Sequence, residues 1–206
     1  AKNITVKDVT KPTISKVTIA QGASNYTFTA TVTASDNKTA TANLSYQIKY
    51  ATTQSGLTTA TATSGKSFTL TNTAAGKTYY YQVGVTDEAG NTAWSDVKNT
   101  AVKDVTAPTL NGTPTAAVNG QSVTISWNAA SDNLAIKGYY LTVDGNKYTV
   151  TGKTSYTLND LSVGNHTFAL SAYDAAGNES SKSASKSFTI AEPADTVKPT
   201  ISKVTI

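Results

Sequence analysis

Aspartate is the residue type with the most chemistry to offer in this sequence: there are ten, and seven stand in motifs that recur. Asp8, Asp104 and Asp195 sit in KDVTKPT, KDVTAPT and ADTVKPT. Asp36 and Asp132 sit in two copies of Ser-Asp-Asn, and Asp87 and Asp174 open Asp-Glu-Ala-Gly-Asn and Asp-Ala-Ala-Gly-Asn. Carboxylates gathered in one place repel unless a cation lies between them. Calcium is the cation that suits such a set, because it takes about six to eight oxygens from carboxylates, amides, backbone and water. Asp and Asn are equally the ordinary residues of turns, where they bond their own backbone. No EF-hand loop is present, so both readings stand: a calcium constellation, or turn chemistry.

Other chemistries find little footing. The chain has no cysteine, which removes disulfides, zinc knuckles and thiol catalysis. His166 is the single histidine, so a multi-histidine metal site is impossible, and its apolar neighbours suggest a satisfied core or edge residue. No G-x-S-x-G elbow accompanies it. Glu88, Glu179 and Glu192 lie in turns or linkers and offer no paired acid and base for glycoside chemistry. Tyr79, Tyr80, Tyr81, Tyr139 and Tyr140 could stack on sugars, although alternation buries about half of them. No enzyme is expected.

Charge excludes a further class. The formal charge is +4, carried by 17 lysines with no arginine. Nucleic-acid readers rely on arginine for bidentate contacts, and these lysines are scattered as on solvated strand faces. Weak attraction to an acidic surface is the remaining use of the charge. No apolar run approaches a membrane span. With 38 Thr, 20 Ser and neither Cys nor Met, the 206 residues lack the side chains most easily oxidised. That composition fits an extracellular or secreted place of work.

The elements that must position the aspartates repeat. The strand-opening aspartates are spaced 96 and 91 residues apart, the Ser-Asp-Asn copies 96 apart, and ISKVTI at 14–19 returns at 201–206. Shared markers in the same order indicate a tandem array of units of about 90–96 residues. The expected division is 1–7, the closing strand of a preceding repeat; 8–103, a first repeat; 104–192, a second; and 193–206, the opening strand of a following repeat. The chain thus reads as a piece of a longer array, with short Asp-x-x-x-Pro-Thr junctions stiffened by proline.

Within a unit the period is 2. Tyr26, Phe28, Ala30 and Val32 alternate with threonine, as do Tyr46, Ile48 and Tyr50 with polar partners. In the second unit Val123, Ile125 and Trp127, then Tyr139, Leu141 and Val143, do the same. Such alternation, punctuated by Asp144-Gly145-Asn146 and Ala-Gly-Asn turns, predicts half-buried strands. About seven strands per unit predict an all-β fold of tandem seven-stranded β-sandwiches.

SVTISWNAASDN, IKGYYLTVDG and ALSAYDAAGN in the second unit, and GKTYYYQVGVTDEAGN in the first, resemble bacterial fibronectin type III and related Ig-like surface-protein repeats. The resemblance implies that Trp127 is a strand-B core tryptophan and that Tyr79 is at a tyrosine corner. It further implies that the loops after strands B and F share a pole with the start of strand A. Asp8, Asp36 and Asp87, with Asn91, would then converge, as would Asp104, Asp132 and Asp174, with Asn178. The first unit departs from the pattern: Thr31 aligns with Trp127 and the apolar phase is shifted by one residue, which requires a bulge or a different strand end.

The function expected is that of a structural or interaction segment of a repetitive extracellular bacterial surface protein: a stalk, an adhesin-like array, or a filament or lattice, stiffened by calcium at its junctions. Its partners would be neighbouring repeats of the same chain, or further copies pairing through the end strands. The alternative is a carbohydrate- or receptor-binding accessory module of a secreted protein, recognising a surface glycan or host receptor.

Overall fold

Threonine and β-branched residues alternating with aromatics favour extended chain, because their side chains pack well on a pleated, half-buried surface. In the structure, a computed structural model describing residues 6–23, 25–198, 200 and 202, such strands are the regular elements, with three short 3-10 turns beside them. It divides into two units, Ala1–Thr106 and Ala107–Ile206. All pairings between strands are antiparallel.

The first unit contains β1 (Thr13–Gln21), β2 (Thr27–Ser35), β3 (Ser45–Ala51), β4 (Thr63–Ser64), β5 (Ser67–Thr69), β6 (Thr78–Thr86), β7 (Thr92–Trp94) and β8 (Lys98–Ala101). One sheet has the order β1-β2-β5; the other runs β4-β3-β6-β7, with β8 also on β6. The last strand is therefore split into two pieces, which makes eight strands where the sequence suggests seven. Between the inner faces lie Val17, Phe28, Ile48, Phe68, Tyr81 and Val83. Phe28 and Phe68 face each other in register with stacked rings 5.1 Å apart, and Tyr50 from the opposite sheet stacks on Phe68 at 4.2 Å.

Ile14, Val17 and Ile19 all contribute to this core, yet their spacing is three and then two. A bulge at Ser15, between Ile14 and Lys16, absorbs the extra residue. β2 itself continues without interruption to Ser35, one residue before Asp36. Its counterpart in the second unit stops at Ser126, several residues before Asp132. The phase difference between the units is thus met by a different strand end.

The second unit contains β9 (Thr115–Asn119), β10 (Ser122–Ser126), β11 (Ile136–Val143), β12 (Asn146–Val150), β13 (Ser155–Leu158), β14 (Gly164–Asp174) and β15 (Lys186–Ile190). Its sheets have the orders β13-β10-β9 and β12-β11-β14-β15. Trp127 is buried directly after β10, its ring 5.3 Å from that of Tyr139. Val123, Ile125, Leu141 and Ile190 are fully enclosed. Asp144 and Gly145 both have positive φ, 47° and 84°, the combination demanded by a two-residue hairpin turn of type I′.

The strands expected over 1–7 and 193–206 fall partly outside the described residues. Among the described ones, Val6, Lys7 and 193–198 carry no strand. No helix among the described residues is long and apolar enough to cross a membrane.

Candidate functional site

Antiparallel pairing decides where the first unit's aspartates meet. Thr13 of β1 pairs with Ser35 of β2, so the start of one strand lies beside the end of the other. Thr86 at the end of β6 pairs with Ser45 at the start of β3 and with Thr92 of β7. Asp8 precedes β1, Asp36 follows β2 and Asp87 follows β6. Each offers a carboxylate oxygen, and these oxygens lie within 4.8 Å of one another.

Every carboxylate in this group divides its work. Asp8 Oδ1 accepts the Thr10 N–H at 3.0 Å, and Asp36 Oδ2 accepts those of Lys38 and Thr39, both at 2.9 Å. Those backbone donors hold the Asp36 carboxyl below the usual carboxylate range. The opposite oxygens, Asp8 Oδ2 and Asp36 Oδ1, are shut off from solvent and accept no hydrogen bond. Asp87 is buried; its Oδ1 accepts the Asn91 N–H and its Oδ2 the Asn91 side-chain amide, both at 2.8 Å. The Asn91 amide nitrogen also donates to the Asp8 carbonyl at 3.1 Å, which ties the strand-opening segment to the hairpin. Asn91 therefore braces the group through its nitrogen.

Two further contacts fix the loops. Thr39, buried, accepts the Glu88 N–H through its hydroxyl, and Asn43 donates to the Glu88 carboxylate at 2.8 Å. Glu88 is thereby engaged beside the group. The ion pairs found among the described residues, Lys147–Glu179 and His166–Asp144, involve none of the three aspartates.

The remaining predicted residues follow the same local pattern. Asp104 belongs to the first unit, buried, with its carboxylate accepting the Tyr26 hydroxyl at 2.8 Å and the Thr106 N–H at 3.0 Å. Asp195 accepts the Val197 N–H at 2.9 Å in an equivalent turn. In the second unit Asp132 Oδ2 accepts the Leu134 N–H at 3.0 Å, while its Oδ1 is shielded and accepts no hydrogen bond. Asp174 accepts the Gly177 and Asn178 N–H groups and the Asn178 amide, at 2.7, 2.9 and 2.7 Å. Asp132 and Asp174 offer oxygens within 4.8 Å of each other.

No family model matches the sequence. Relatives are found nonetheless. The chain is 41% identical over 91 residues to an alpha-amylase of Niallia circulans, covering 43% of this chain and 7% of the amylase. It is 31% identical over 164 residues to chitinase A1 of the same organism, covering 71% of this chain and 22% of the chitinase. The chain thus spans less than a quarter of the length of either relative. Among solved structures, the chicken CNTN1 FN1–FN3 domains match 87% of this chain and 67% of theirs at 14% identity, with a TM-score of 0.42.

Strand placement distinguishes the sandwich types. In an Ig constant-type domain four strands stand on the first-strand side against three. Here the hairpin partner of the third strand, β4 in one unit and β12 in the other, stays with its neighbour, leaving three strands on the first-strand side. Both units are fibronectin type III-like repeats.

Two more features of these fibronectin type III-like sandwiches could carry function. On the outer face of β3, β6 and β7, Trp94 is 36% exposed and lines an open groove of about 650 Å³ with Lys49, Gln54, Leu57, Gln82 and Val97. One face of its ring is already covered by the Lys49 ammonium, 4.7 Å from the centroid. His166 is buried on β14, with Nδ1 2.6 Å from Asp144 Oδ2 and Nε2 2.8 Å from the Ser162 carbonyl, and its ring stacks on Phe188. The Asp144 carboxylate and the Ser162 carbonyl hold the His166 pKa above its ordinary value. The histidine is a satisfied core residue of its fibronectin type III-like unit.

Proposed function

We propose that this chain is a non-catalytic accessory segment of an extracellular bacterial protein, in which self-contained fibronectin type III-like repeats space or present other domains. The observation that carries this reading is modularity: each unit closes its own apolar core between its own two sheets. The small share of the amylase and chitinase that the chain spans supports an accessory place beside larger domains. Repetition along a surface stalk, adhesin-like array or filament uses the same property. Single-molecule extension of the whole chain tests it. Two separate unfolding events are expected, each releasing about 300 Å of contour for a unit of ~90 residues. One event releasing the full length overturns the modular reading.

The groove beside Trp94 supports a second reading, a glycan-binding accessory module. A partly exposed indole, next to the amides of Gln54 and Gln82, is a chemistry suited to a sugar ring. Depletion of the chain from solution by insoluble chitin, cellulose or starch tests it. Saturable binding that Trp94→Ala abolishes assigns the module to glycan recognition; a chain that stays in solution leaves the spacer role.

A further inference from the structure

We propose that the first unit binds calcium between Asp8, Asp36 and Asp87. The proposal is independent of whether the chain spaces domains or recognises glycans. Turn formation and cation binding compete only if they need the same atoms, and at Asp8 and Asp36 one oxygen is left out of the turn. Asp8 and Asp36 each spend one oxygen on backbone N–H groups and leave the other without a donor, and each of the three carboxylates has an oxygen within 4.8 Å of the others.

Those two undonated oxygens, Asp8 Oδ2 and Asp36 Oδ1, are the independent sign of a ligand. They are shielded from water, they accept no hydrogen bond, and no ammonium among the described residues reaches them within ion-pair distance. A shielded anionic oxygen without a donor is among the costliest groups a protein can carry. Three carboxylates with oxygens within 4.8 Å of one another add mutual repulsion. A cation removes both penalties together. The site is also held in shape beforehand: Asn91 grips Asp87 twice and Asp8 once, and Thr39 joins the two loops.

The donor set selects the metal. All three ligands are hard carboxylate oxygens, with no imidazole or thiolate, which suits calcium or magnesium and disfavours zinc and copper. An ion with oxygens at ~2.4 Å can touch two that are up to ~4.8 Å apart, the calcium case; magnesium, at ~2.1 Å, needs a tighter and more regular shell. Three carboxylates supply part of a shell of about six to eight oxygens, leaving the rest to water. Affinity in the range of extracellular calcium modules, about 0.1–1 mM, follows.

Titration of the ¹⁵N-labelled full chain with calcium chloride tests this residue by residue. The backbone amides of Thr10, Lys38, Thr39 and Asn91 should shift together along one saturable isotherm. In Asp36→Asn, which keeps an oxygen able to accept the turn N–H groups, these shifts should require at least tenfold more calcium while the spectrum remains that of a folded chain. Asp8→Asn serves as the second variant should the first lose its fold. Amides that stay still up to 10-fold above the expected range, or isotherms unchanged in both variants, overturn the site. Equal shifts with magnesium at the same concentrations overturn the choice of calcium.

Discussion

Asn91 holds Asp87 from two directions, its backbone N–H on one carboxylate oxygen and its side-chain amide on the other, each at 2.8 Å. Asn178 holds Asp174 in the same way in the second unit, at 2.9 and 2.7 Å. The Asp-x-Ala-Gly-Asn motif is thus a clasp around a buried carboxylate. Gly90 and Gly177, at φ of 90° and 95°, provide the left-handed residue that lets the chain return. Asn91→Ala and Asn178→Ala each remove an amide donor to a charged acceptor, and a loss of about 1–3 kcal/mol is expected. Asp174 is the more enclosed carboxylate, 1% exposed against 5% for Asp87, so Asn178→Ala should cost at least as much. Urea unfolding followed separately for each unit's transition checks the order. A neutral result for both would mean that the clasp contributes no net stability.

Tyr26 closes the first unit at the opposite end of its chain. Its hydroxyl lies 2.8 Å from Asp104 Oδ1 and 2.8 Å from the Thr106 hydroxyl, joining the start of β2 to the segment that ends the unit. Tyr26→Phe keeps the ring in the core and deletes the hydroxyl that makes those contacts. A destabilisation of about 1–3 kcal/mol is expected, because a buried carboxylate loses a donor. A thermal melt of the variant should show the first unit's transition falling and the second's unmoved. Equal shifts in both transitions would contradict a local role.

Much of this architecture was legible in the sequence, and the reasons are specific. Strict alternation in Phe28-Thr-Ala30 and Leu141-Thr-Val143 placed the inner faces, because a strand has one period and two sides. Repeated Asp motifs pointed to one pole once the strand order of the resemblance was applied, and Asp8, Asp36 and Asp87 do meet. Which atom of each carboxylate is used was not legible, since that depends on turn geometry a few residues on. Asn91 was expected to offer oxygen and instead turns its nitrogen inward, because Asp87 and the Asp8 carbonyl are both acceptors. Ser95 and Ser180 gave no signal at all. Each is buried and both donates its N–H to and receives one from the facing strand, Ser95 with Val83 and Ser180 with Ala172. A serine hydroxyl there stands in for a backbone carbonyl where the edge strand breaks, and serine is too common in this chain to mark the place.

Gly138 follows directly on the bulge at Lys137 in β11 and pairs with Tyr173, where the chain approaches both neighbouring strands. A methyl group there would stand 2.7 Å from the Val150 carbonyl oxygen and 2.9 Å from the Tyr173 hydroxyl. The first obstacle is backbone and cannot swing away. Gly138→Ala should therefore destabilise the second unit by about 1–3 kcal/mol, the usual result of overfilling a packed site. Gly65→Ala, with nothing near but a φ of 97°, separates steric crowding from backbone strain. Denaturant midpoints for the two variants check this. A Gly138→Ala chain as stable as the parent would mean that β12 is free to move aside.

His166 gives the molecule a pH dependence that can be assigned to one residue. A backbone carbonyl only accepts, so Nε2 facing Ser162 at 2.8 Å must carry a proton. Nδ1, 2.6 Å from the Asp144 carboxylate, then faces a second acceptor, and the doubly protonated ring satisfies both. Hydrogen bonding to Asp144, then to the Ser162 carbonyl, raises the His166 pKa in the folded state. The Thr167 N–H and His166 in turn lower that of Asp144. A histidine raised on folding contributes stability that is complete below its unfolded value, about 6.5, and lost as pH climbs through the higher folded value. An aspartate depressed on folding contributes stability that is complete above about 3.9 and lost as pH falls through the lower folded value. The pair therefore stabilises the second unit fully between about pH 4 and 6.5 and progressively less on the alkaline side. His166 is the only histidine in the chain. Urea midpoints between pH 5 and 9 should decline for the second unit in the parent chain and stay nearly level in His166→Gln. A decline of equal size in that variant would place the titrating group elsewhere.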